Sequence, residues 1–195
     1  MDHFKLQPPE SKLKQLADEY WEKLGGTYQQ LERDAFDAGK RILQGGLSDH
    51  DLKENLKIII YWKSPRVIHY FYDDDGNSPE KIRKAVEKAT APTSTVQEAV
   101  VALTGLRGVG VPVASAILTA IFPDRYTVID FRALEALGHD AAGIEFYRHY
   151  LEFCRELAES GKVHLQADLP APTALRALDR ALWQWSASQE KNPVR

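Results

Sequence analysis

The sequence holds a single cysteine, Cys154, in 195 residues. A lone thiol excludes an internal disulfide and any metal cluster held by four cysteines. No apolar run reaches membrane-spanning length, and residues 1–9 lack the hydrophobic centre of a secretory signal; the expectation is a cytosolic chain with no membrane partner. Charge of one sign is also missing. With 25 Lys and Arg against 28 Asp and Glu the net charge is −3, so no global field draws the chain to nucleic acid. Affinity for a polyanion has to come from a local basic patch and from backbone N–H donors. The histidines at 3, 50, 69, 139, 149 and 164 show no zinc-ligand spacing. Asp73, Asp75 and Asn77 imitate the start of a calcium loop, but Lys84 stands where its glutamate is required.

What is present suits a soluble globular protein: 44% apolar residues and 27% charged, enough chain for one domain over 1–195. Residues 1–10 read as a loose arm. Ser11 is placed to cap a helix carrying Leu13, Leu16, Tyr20 and Leu24, ended by Gly25-Gly26. A second helix follows over about 27–43, and a third begins at Ser48 or Asp49 and is broken by Ser64-Pro65. Val67 to Tyr72, rich in β-branched and aromatic residues, has no pairing partner and is read as helical. Ser78-Pro79-Glu80 opens another helix, and Thr95-Val96-Gln97-Glu98 is a capping box for the next. Phe131 to Leu137, Ile144 to Gly161 and a last helix capped by Thr173 complete about nine helices with no strand, an all-α multi-helix bundle.

The chain is organised around Leu103-Thr104-Gly105-Leu106-Arg107-Gly108-Val109-Gly110-Val111-Pro112. The glycines at 105, 108 and 110 are expected to stop one helix by positive φ and close backbone approach, and a second helix starts near Val111 with Pro112 in its first turn. That second helix is apolar on nearly every face to Phe122, so it is expected to be buried. Two helices joined this way point unpaired N–H groups out of a helix N-terminus, a site suited to a phosphate.

At these residues the sequence resembles the helix-hairpin-helix DNA glycosylases of base-excision repair. Leu103, Leu106, Gly108, Val109, Gly110 and Ala114 match the family's hairpin pattern, and Asp130, twenty residues after Gly110, falls where the family carries its aspartate. The resemblance covers about 95–137 and implies an all-α, DNA glycosylase-like fold. It implies double-stranded, damaged DNA as the partner and a nucleoid-associated place in the cytoplasm. It also implies that Leu106, Arg107, Gly108, Val109, Gly110 and Val111 contact DNA. The hairpin carbonyls of Thr104, Leu106 and Val109 would hold a structural Na+ or K+; the iron–sulfur cluster of some members has no cysteines here. Asp130 would be the catalytic carboxylate that stabilises an oxocarbenium-like sugar or activates water. Members that also cleave the backbone place a lysine where this chain has Pro112, so hydrolysis alone is implied, without Schiff-base lyase chemistry through that position.

Each of these residues has a plainer reading. Asp130 suits the N-cap of a helix beginning at Phe131, and the glycines suit a packing turn between two core helices. Phe131-Arg132 also departs from the small residue and polar partner that often follow the family aspartate. Lys57, Lys63, Arg66, Arg107, Arg125 and Arg132 are candidates for a basic patch, and Trp62, Tyr70, Trp183 and Trp185 for stacking on an extruded base. Trp62, with Lys63 and Arg66 beside it, is the candidate base pocket. A non-catalytic protein that binds damaged or abasic DNA, and a helical scaffold for protein partners, stand as alternatives to a DNA-repair hydrolase.

Overall fold

A computed structural model describes residues 4–72, 76–140, 143–163 and 165–189. Among the described residues the secondary structure is all helical, in ten α-helices and two short 3-10 turns. They are α1 (Leu13–Lys23), α2 (Gly26–Gln44), α3 (Asp49–Lys63), α4 (Ile68–Tyr72), α5 (Pro79–Thr90), α6 (Val96–Thr104), α7 (Val111–Ile121), α8 (Phe131–Glu135), α9 (Ile144–Glu159) and α10 (Ala174–Gln189). The acidic turn at 73–75 lies outside the described residues.

The local signals act as their chemistry requires. Ser48 caps α3, Ser78 caps α5, and Thr95 and Glu98 form the reciprocal capping box of α6. Thr173 Oγ1 accepts from the Arg176 N–H at 3.2 Å at the start of α10. Ser11 does not cap: it lies inside a 3-10 turn, Glu10–Lys12, that runs straight into α1. The described part of the N-terminal arm, residues 4–10, is docked rather than loose. Lys5 and Gln7 donate to the carbonyls of Leu137 and Ala136, and Phe4 packs among His139, Phe146 and Phe153.

Helix α7 is the axis of the core. Every residue from Val113 to Ile121 is buried, and α2, α3 and α6 pack on it. Its contact with α2 is close enough to need a glycine: a Cβ at Gly39 would lie 2.0 Å from the Ala120 carbonyl oxygen. A second knot ties α1, α2 and α10. Glu32, fully buried, accepts from Arg176 at 2.6 Å, from Arg180 at 2.6 Å and from the Tyr20 hydroxyl at 3.1 Å. Burial alone would push the Glu32 carboxyl up, but the two guanidiniums hold it below the usual range.

Two stability outcomes follow from this packing. Gly39→Ala forces two backbones apart and should cost at least about 3 kcal/mol in urea unfolding. Glu32→Gln strands two buried guanidiniums and should cost about 3–5 kcal/mol in the same measurement.

Candidate functional site

The segment between α7 and α8 delivers Asp130. Residues 126–129 are buried and belong to no helix or strand, so side chains satisfy their polar groups. Ser115 Oγ accepts from the Ile129 N–H at 3.1 Å, Tyr147 donates to the Thr127 carbonyl at 2.9 Å, and Tyr150 donates to the Val128 carbonyl at 2.8 Å. This scaffold fixes the chain up to the N-cap of α8.

The plainer reading of Asp130 holds: it caps α8 with one oxygen and pairs with Lys63 through the other. Oδ1 accepts from the Ala133 N–H at 3.0 Å and caps α8, while Oδ2 accepts from Lys63 Nζ at 2.8 Å. The Lys63 and Asp130 side chains are 13% and 15% exposed, so the pair is largely shielded yet open on one side. Burial works against ionisation of Asp130. The Lys63 charge, its hydrogen bond and the N–H groups of Ala133 and Arg132 outweigh burial and hold the carboxyl below its usual range.

The pair lines a cavity of about 190 Å³ whose walls include Tyr20, Trp62, Arg176, Asp179 and Trp183. Trp62 is wedged between Phe36, ring centroids 5.5 Å apart, and the Arg176 guanidinium at 5.3 Å. Trp183 meets Tyr20 edge-on at 5.3 Å and carries the Arg132 guanidinium on its face at 4.9 Å. Asp179 pairs with Arg176 within this wall. Burial pushes the Asp179 carboxyl up to about 6, against the pull of Arg176 and with help from the Asp130 charge. Two carboxyls of one cavity are therefore driven in opposite directions.

Of the sequence candidates, Asp130, Trp62, Lys63 and Trp183 come together. Arg66 does not: Ser64-Pro65 turns the chain at the end of α3, and Arg66 is exposed on the following 3-10 turn, outside the cavity. Trp185 packs against the core and Tyr70 against the hairpin. The proposed basic patch is divided among local partners, with Lys57 on Glu54 and over Tyr72, and Arg125 over Phe122 and Tyr126. Arg176 and Asp179 were not foreseen. They stand at i and i+3 on α10, and no local pattern separates them from an ordinary surface ion pair.

The hairpin forms between α6 and α7, with two departures from the sequence reading. Only Gly108 has positive φ, at 83°; Gly105 continues the helical turn at φ −67°, and Gly110 is the extended N-cap of α7 at φ −86°. Leu106 and Val109 are buried, so their side chains serve the core and only their backbone is available to a ligand. Gly108 sits against α4, where a Cβ would be 3.1 Å from Tyr70 Cβ and from the Val67 carbonyl oxygen. Asn77, completely buried, clamps the turn: Oδ1 accepts from the Arg107 N–H at 2.8 Å and Nδ2 donates to the Arg107 carbonyl at 2.9 Å. The N–H groups of Gly108, Gly110 and Val111 donate to nothing among the described residues.

The raised Asp179 carboxyl fixes the sign of a pH effect. Its folded-state value exceeds its unfolded value, so it contributes stability at low pH that is lost as pH rises through about 6. Relative to Asp179→Asn, the wild type should lose about 3 kcal/mol between about pH 4 and pH 6 and then stay level. Asp130 acts oppositely, losing its contribution as pH falls below about 4. Denaturant titrations of both proteins across this range read the difference.

No family model, no curated protein and no solved structure matches this chain.

Proposed function

We propose that this protein is a helix-hairpin-helix DNA glycosylase-like enzyme that hydrolyses the N-glycosidic bond of a damaged or mismatched base, with Asp130 as its catalytic carboxylate. The observation that carries this reading is Asp130 itself, held ionised in the wall of a cavity flanked by Trp62 and Trp183. A flat base extruded from the duplex would stack on indole, and its sugar would meet a carboxylate suited to a developing cation. The unpartnered N–H groups of Gly108, Gly110 and Val111 stand at the N-terminus of α7, where they would grip a phosphate without reading sequence. A Na+ or K+ on the carbonyls of Thr104, Leu106 and Val109 would stiffen that grip; the Leu106 carbonyl already accepts from the Val109 N–H and has a second lone pair to offer. Pro112 carries no amine, so the hairpin itself supplies no nucleophile.

One observation favours the non-catalytic alternative, a binder of damaged or abasic DNA. Lys63 neutralises Asp130, which weakens a bare carboxylate as a partner for a sugar cation.

The deciding measurement is fluorescence anisotropy with a duplex carrying a cationic abasic-sugar analogue, beside an undamaged duplex, over a salt series. The wild type should prefer the analogue and weaken steeply with salt. Asp130→Asn should abolish base release and the preference for the analogue while keeping the salt-sensitive term. Gly110→Glu places a carboxylate at the phosphate site on an exposed residue with negative φ. It should reduce affinity for both duplexes alike, on the order of tenfold, with Tm unchanged. Absence of binding to either duplex at low salt would make the hairpin a packing turn.

A further inference from the structure

We propose that Asp179 selects what the cavity accepts: its free carboxylate oxygen takes a hydrogen bond from an unsubstituted N–H on the edge of a nucleobase. This rests on the reading above and narrows its substrate, because bases alkylated on that edge are excluded.

Arg176, Asp179 and Trp183 stand at i, i+3 and i+7 on α10, so they share the helix face that forms one wall of the cavity. Asp179 is only 3% exposed, yet one of its two oxygens is uncommitted. Oδ2 accepts from Arg176 Nη1, while Oδ1 accepts from no described residue. No buried side-chain oxygen or nitrogen among the described residues lacks a partner, so Oδ1 must reach open space, and the space that Asp179 lines is the cavity. An acceptor at this depth costs free energy until something in the cavity donates to it.

The other polar atoms of the wall are largely spoken for. Arg176 donates to Glu32 and Asp179, the Tyr20 hydroxyl donates to Glu32, and Asp130 divides its oxygens between the Ala133 N–H and Lys63. Lys63 gives one N–H to Asp130, and an ammonium has others to offer. The cavity thus presents a free acceptor on Asp179 and a cationic donor on Lys63, and its complement carries an N–H beside an acceptor. The pairing edge of a nucleobase has that pattern, as a ring N–H beside a carbonyl or an amine beside a ring nitrogen. A methyl on that nitrogen removes the donor, crowds Asp179 and leaves a buried acceptor unpaired. At about 190 Å³ the cavity is smaller than the usual site for a drug-sized molecule and suits one ring system.

Protonation reports on this contact. An ionised Asp179 only accepts, whereas a proton on Oδ1 turns that oxygen into a donor. Burial pushes the carboxyl up to about 6, so the change falls in mildly acidic solution. The groups around it hold their charge there. Arg176, Glu32 on α2 and Asp130 at the head of α8 stay ionised, and Lys63 at the end of α3 adds its ammonium to the same field. Tyr20 on α1 and Tyr150 and Cys154 on α9 stay neutral, since burial raises each of them.

Tryptophan fluorescence of the intact chain, titrated with thymidine, deoxyguanosine and N3-methylthymidine, tests the assignment. Near pH 7.5 the two N–H nucleosides should bind about tenfold more tightly than the methylated one. That preference should collapse as pH falls to about 5, when Oδ1 no longer accepts. Asp179→Asn should make the ratio independent of pH, with circular dichroism confirming its fold; the wild-type comparison of methylated and unmethylated ligands stands without this variant. Anisotropy with the cationic abasic-sugar duplex runs alongside. Duplex binding without nucleoside binding, or nucleoside binding without the N–H preference, overturns the role of Asp179 and leaves the glycosylase reading standing. A preference that persists unchanged at pH 5 places the acceptor elsewhere and overturns it as well. Absence of binding to the duplex and to the nucleosides overturns both.

Discussion

The buried carboxylate of Glu32 is the constraint on which this end of the molecule depends. An ionised acid without solvent must be surrounded by donors, and Arg176, Arg180 and Tyr20 supply them from α10 and α1. Satisfying one charge therefore aligns three helices. The alignment has a by-product: Arg176 and Tyr20, with the neighbouring Asp179, form one wall of the cavity opposite Asp130 and Lys63. The cavity is polar because the knot that holds the helices together is polar.

The facing wall is built by a different rule. A segment between helices has no ladder to join, and 126–129 is held instead by Ser115, Tyr147 and Tyr150. Such a strap has little freedom, since each hydrogen bond comes from a buried side chain on α7 or α9. It ends at Asp130, whose carboxylate is divided between the α8 N-cap and Lys63. A carboxylate with one oxygen on a helix cap and the other on an ammonium is held in place from two sides.

The hairpin shows how the same residue types divide between packing and binding. Leu106 and Val109 go into the core, Gly108 lets α4 approach, and Asn77 binds the backbone of Arg107 through both its amide atoms. With those groups settled, the hairpin donors left without a partner among the described residues are the N–H groups of Gly108, Gly110 and Val111. Packing thus selects which donors a phosphate would find.

Local chemistry made much of this legible. Short-range rules sufficed for the caps of α3 and α6, the break at Ser64-Pro65, the buried character of α7, and the cap at Asp130, because each depends on residues within one turn. The pairing of Lys63 with Asp130, the meeting of Trp62 and Trp183 in one cavity, and the Arg176–Asp179 wall depend on helices far apart in the chain. Arg66 shows the limit: three residues from Lys63, it is turned out to solvent by one proline. By itself the sequence determined the helices, their ends and the candidate aspartate, since those follow from neighbouring dihedrals and caps. Only the tertiary structure decided which charges would be desolvated together, because the energy of a buried charge is set by what packs around it and not by what precedes it.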